Sequence, residues 1–185
     1  MRKPAWDPDA PVLTDEDLEK EILRYEPIMW DIAEKSRKEK VEYGFVLCWD
    51  KDKKTSFMNQ GICKGKDCEV LLPRCQWPDQ FATIHTHPKH GGWIPSPGDV
   101  LDSFRNDDAV FCVGSVGTAT QKQRKDAYQC YVPTSNGEVV RKYADAMNNT
   151  DELKGMDIYV NMISEASWRP SKDTVFRAIF KMERK

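Results

Sequence analysis

Ile84-His85-Thr86-His87-Pro88, continued through Gly91-Gly92-Trp93-Ile94-Pro95 into Ser96-Pro97-Gly98-Asp99, decides how the rest of the chain is read. All three histidines of the sequence, His85, His87 and His90, fall inside it. Phe81 to His87 is bounded by Pro78 and Pro88 and rich in β-branched and aromatic side chains, so it reads as a strand. Alternate residues of a strand share a face, and His85 and His87 therefore point the same way. Ser96 has N-cap chemistry, Pro97 suits a first helical position, and Val100, Leu101 and Phe104 supply an apolar stripe, so a helix follows. Asp99 lies in its first turn and faces the strand's end once the connecting loop folds over. Two imidazoles, one carboxylate and an open position for water are the ligand set of a catalytic zinc site, where water becomes a nucleophile near neutral pH. Taken singly, a histidine pair on a strand is commonly a surface feature and Ser-Pro-x-Asp an ordinary helix start. Their order together points to a metal.

His85-x-His87-Pro88 followed by Ser96-x-x-Asp99 resembles the signature of the JAMM/MPN+ (Mov34/PAD-1-like) zinc metalloproteases, which include deubiquitinating isopeptidases and prokaryotic relatives. That family also carries a glutamate on an earlier strand, shortly before a glycine and an apolar run. Glu42 matches it in Val41-Glu42-Tyr43-Gly44-Phe45-Val46-Leu47. The gap between His87 and Ser96 is one residue longer than is usual there, beside Gly91-Gly92, and Glu42 stands one position nearer its glycine than in many members. The resemblance covers roughly residues 40 to 135.

The resemblance implies an α/β protein with the MPN (JAMM, cytidine-deaminase-like) fold, a mixed β-sheet flanked by helices. It implies Zn2+ held by His85, His87 and Asp99, with Glu42 as general base and Ser96 stabilising the oxyanion. The implied reaction is hydrolysis of an amide or isopeptide bond in a protein or peptide substrate, at the tail of a ubiquitin-like or sulfur-carrier-like protein. A glycine-rich tail suits a groove at the sheet edge, bound as an added strand. Two alternatives are a JAMM-like peptidase acting on cell-wall or phage-assembly peptides, and a non-catalytic MPN scaffold that binds protein partners; such scaffolds usually lack the metal ligands. Zinc deaminase chemistry needs His-x-Glu and a later Pro-Cys-x-x-Cys, and the sequence has neither.

With 28 basic residues against 30 acidic ones, no overall field draws the chain to nucleic acid or to a membrane, so partners must be recognised locally. No apolar segment follows Met1-Arg2-Lys3-Pro4 and no run is long enough to span a bilayer, which gives a cytoplasmic expectation. Oligomeric state is left open. Cys48, Cys112 and Cys130 lie in apolar strand-like runs and read as small core residues. Cys63, Cys68 and Cys75, in a polar stretch, read chiefly as free thiols, with a local disulfide or a second zinc site as lesser alternatives.

In chain order, residues 1–12 read as a loose proline-rich arm, and 13–185 as a single JAMM/MPN-like domain with C-terminal helices. Thr14 and Asp17 form a capping-box pattern with Leu13 and Leu18 as a staple, opening a helix that Pro27 kinks or divides. Strands follow from Val41 to Trp49, from about Thr55, over Asp67 to Leu72, Gln80 to His87, Ala109 to Val116 and Ala127 to Pro133. Gly117 to Lys125 reads as a solvated hairpin connector. A helix is expected after Asn136, and Ser171 to Met182 reads as an amphipathic helix through Val175, Phe176, Ile179 and Phe180.

Overall fold

The computed structural model describes residues 13–66, 70–76, 79–88, 95, 99, 102–103, 106, 108–116, 126–133 and 176–184. Helix α1 spans Asp15–Leu23 and α2 spans Glu26–Glu39. Thr14 caps α1 as the sequence suggests: its hydroxyl accepts from the Asp17 N–H at 3.1 Å, and the Asp17 carboxylate accepts from the Thr14 N–H at 2.9 Å. Pro27 divides the two helices rather than kinking one, because it sits in the first turn of α2, where its missing N–H costs nothing. Leu18, Ile22, Met29, Ile32 and Ala33 recur at helical spacing and are all buried.

Six strands follow among the described residues: β1 (Tyr43–Asp50), β2 (Thr55–Lys64), β3 (Gln80–His87), β4 (Val110–Ser115), β5 (Ala127–Pro133) and β6 (Phe176–Glu183). They form one mixed sheet in the order β2-β1-β3-β4-β5-β6. The protein is thus of the α/β class. Only β3 and β4 run parallel, so a crossover must join them. Asp99, Asp102 and Ser103, within that crossover, are helical. Facing the helices, Phe45, Leu47, Ile84, Val110, Cys112, Tyr128 and Cys130 join Ile22, Met29 and Ile32 in one core. The Tyr128 hydroxyl donates to the Met29 carbonyl at 2.7 Å, which satisfies its one polar group inside that core. Phe111, Tyr131 and Phe176 make a second aromatic cluster, with ring centroids 4.9–5.9 Å apart.

Three expectations change. Residues 176–183 form a strand, not the end of a helix: Val175, Phe176, Ile179 and Phe180 fit a helical period, but pairing with the open edge of β5 prevails. Residues 70–72 lie outside any strand, running instead as the segment that leads to Cys75. Cys48, Cys112 and Cys130 are not lone core residues, and Cys75 is not a free thiol: Cys48 bonds Cys75, and Cys112 bonds Cys130 directly across the β4–β5 ladder. Cys63 is a free thiol, while Cys68, residues 1–12, 117–125 and 134–175 lie outside the described residues. No helix among the described residues is long and apolar enough to cross a membrane.

Glu21 fastens α1 to β2, accepting from the Ser56 N–H at 2.8 Å, the Ser56 hydroxyl at 2.6 Å and the Thr55 hydroxyl at 3.0 Å. Burial opposes its charge, but the hydrogen bonds from Ser56 and Thr55 outweigh it and hold the carboxyl below its ordinary range. A depressed folded-state value contributes stability at neutral pH that disappears as pH falls through it. Glu21→Gln should therefore cost about 1–3 kcal/mol at pH 7, the worth of hydrogen bonds to a charged group. In urea titrations the gap between the two proteins should close as pH drops below the ordinary glutamate value of about 4.3. A gap independent of pH would rule out the charged role.

Candidate metal centre

His85 and His87 lie on β3, two residues apart and on the same face, as the strand period requires. Their Nε2 atoms stand 3.0 Å apart. Asp99 reaches both from the crossover: Oδ1 is 3.1 Å from His85 Nε2, and Oδ2 is 3.3 Å from His87 Nε2. One donor atom from each of the three residues lies within 4.8 Å of the others. His85 is buried, and the side chains of His87 and Asp99 are only 12% and 20% exposed. The group could hold a metal ion. Tetrahedral bonds of about 2.0–2.1 Å imply donor separations of about 3.3 Å, close to those the two imidazoles and the carboxylate adopt. The nitrogen and oxygen donor set suits a borderline divalent cation.

The electrostatics favour a cation here. Burial opposes a charge on His85, yet the Asp99 charge and hydrogen bond outweigh it, with Glu42 and Asp108 adding negative potential, and its pKa is raised. Burial likewise opposes the Asp99 carboxylate, but His85 and His87 hold it well below the usual carboxylate range. Asp108, fully buried, accepts from Gln80 and from the Thr83 hydroxyl, each at 2.8 Å. Three carboxylates thus lend negative potential to one imidazole, and Asp99 is in direct contact with it.

Glu42 stands immediately before β1 and is buried at 8% exposure. Its backbone pairs with the two residues just past the end of β2: the Glu42 N–H donates to the Lys66 carbonyl and the Gly65 N–H to the Glu42 carbonyl, each at 2.8 Å. Gly44 is directly opposite His85 in the β1–β3 ladder. Glu42, two residues earlier in extended chain, falls on the face of Gly44, His85 and His87. A Cβ on Gly44 would come within 3.0 Å of the His85 Cβ and 2.8 Å of the Ile84 carbonyl oxygen. Only glycine lets the strands approach there.

The structure brings together three of the five residues singled out from the sequence, His85, His87 and Asp99; Glu42 adds negative potential at His85, and Ser96 lies outside the described residues, as do His90 and Trp93. Sequence reading missed Thr86 and Ser36. Thr86, between His85 and His87, points to the helix side, and its hydroxyl donates to Ser36 of α2 at 2.7 Å. A strand threonine facing a core must find such a partner, and that was the available signal. No protein-family model and no curated protein matches this chain.

Proposed function

We propose that the protein is a zinc-dependent metallopeptidase of the JAMM/MPN+ type, built on the MPN fold, that hydrolyses an amide or isopeptide bond. The observation that carries this reading is the convergence of the His85, His87 and Asp99 donor atoms, with the buried Glu42 two residues before Gly44, which lies opposite His85. The two imidazoles and the Asp99 carboxylate would hold the ion. Bound zinc would supply Lewis acidity, bringing deprotonation of a water toward neutral pH and polarising the scissile carbonyl. Glu42 takes the water's proton at its carboxylate and delivers it to the leaving amine. Ser96 is the proposed oxyanion donor. The proposed substrate is the tail of a ubiquitin-like or sulfur-carrier-like protein.

A second reading, cleavage of cell-wall or phage-assembly peptides, draws support from the two disulfides. Such bonds persist chiefly in oxidising compartments, which weighs against the cytoplasmic placement suggested by the sequence.

Elemental analysis of the purified chain tests the site. One zinc per chain is expected in the wild type, with loss in His87→Ala and Asp99→Ala and retention in Glu42→Gln. Glu42→Gln should still lose about 10²–10⁴-fold in hydrolysis, the usual contribution of a general base. Ubiquitin-like fusions and cell-wall stem peptides, assayed side by side, separate the two substrate readings. A wild-type chain that takes up no zinc after reconstitution would leave only a binding module.

A further inference from the structure

We infer that Ser36 and Thr86 are positioning residues for Glu42, an inference that rests on the reading of Glu42 as the base beside a metal. A general base must be held within a few tenths of an ångström of its proton, so its backbone has to be fixed by something. Glu42 lies just outside the ladder: the last β1–β3 pair is Gly44 with His85. Side-chain hydroxyls take over where the ladder stops. The Ser36 hydroxyl donates to the Val41 carbonyl at 2.7 Å, and the Thr86 hydroxyl accepts from the Tyr43 N–H at 3.0 Å while donating its own proton to Ser36.

Val41 C=O and Glu42 N–H belong to the peptide before Glu42; Glu42 C=O and Tyr43 N–H belong to the peptide after it. On one side Ser36 and Thr86 hold Val41 and Tyr43, and on the other Lys66 and Gly65 hold Glu42 itself. All four polar groups are engaged, so both peptide planes are fixed and the Glu42 side chain leaves the backbone in one direction. Ser36 and Thr86 are both fully buried, which shields these bonds from competition with water. Thr86 sits between His85 and His87 in sequence, so one residue ties the base's backbone to the strand that carries two ligands. The two hydroxyls touch neither the ligands' donor atoms nor the open face, and act only through Glu42.

Carbon-13 NMR of the carboxyl carbons in the full chain tests this, with the Glu42 signal assigned by its absence in Glu42→Gln. Zinc added to the wild type should shift that signal. In Thr86→Val and in Ser36→Ala the zinc-induced shift should fall to less than half, with zinc bound at wild-type stoichiometry, and Thr86→Ser should restore it. Hydrolysis by Thr86→Val should fall about 10–100-fold in kcat with little change in KM, as for a group misplaced by about 1 Å. An unchanged shift in Thr86→Val and Ser36→Ala overturns the inference while leaving the metal reading intact. Absence of zinc uptake by the wild type overturns the metal reading, and the inference with it.

Discussion

Reduction of both disulfides should lower the thermal midpoint on the order of 20 °C, taking about 2–4 °C per kcal/mol for a domain of this size. The bonds close loops with separations of 27 and 18 residues. By the chain-entropy relation each constrains the unfolded ensemble by about 3 kcal/mol. They also act at different places. Cys112–Cys130 lies in the helix-facing core, where both residues are wholly buried. Cys48–Cys75 ties down the segment whose Leu72 lies within 3.0 Å of the position a Gly44 Cβ would take, close to His85. Losing the first should act on the global melt, and losing the second should also weaken binding of the proposed zinc. Circular-dichroism melts with and without a phosphine reductant, with Cys75→Ser as the single-bond variant, read both effects. A midpoint that ignores the reductant would show that these pairs do not form in solution.

Gly114→Ala should be among the most destabilising single substitutions outside the candidate metal centre. Gly114 faces Tyr128 across the β4–β5 ladder, and a Cβ there would stand 2.5 Å from Tyr128 Cε1 and 2.8 Å from Cζ. The ring has no retreat: Tyr128 is fully buried, its hydroxyl is held by the Met29 carbonyl, and the Trp30 ring packs against it with centroids 5.5 Å apart. The expected cost is about 3 kcal/mol, at the upper end for overpacking by one methyl group. Shrinking the ring should relieve it. Tyr128→Leu should therefore be less harmful in the Gly114→Ala background than in the wild type, with a coupling of at least about 1 kcal/mol in a double-mutant cycle by urea denaturation. Strictly additive effects would place the damage elsewhere.

What the sequence revealed and what it hid divide along one physical line. The facing of His85 and His87 was legible because strand alternation acts between residues two apart. Thr14 and Asp17 were legible because a capping box closes within one helical turn. The pairing of Cys48 with Cys75 and of Cys112 with Cys130 was not, because local pattern carries no record of which strands become neighbours. The bond from Thr86 to Ser36 spans 50 positions and depends on where α2 settles on the sheet. Residues 176–183 misled for a related reason: Phe176, Ile179 and Phe180 satisfy the helical period, and only the waiting edge of β5 selects extended chain. Glu42 stood between these cases. Its nearness to Gly44 left its facing open until the ladder put Gly44 opposite His85.

Strand β6 also dictates an order of assembly. Residues 134–175 separate it from β5, so a ribosome delivers β5 well before the strand that covers its edge. In that interval Phe111 and Tyr131 lack Phe176, and β5 offers a row of unpaired backbone groups to any passing strand. Folding must therefore be completed after β6 emerges, and until then the nascent chain carries an open sheet edge that is prone to aggregation.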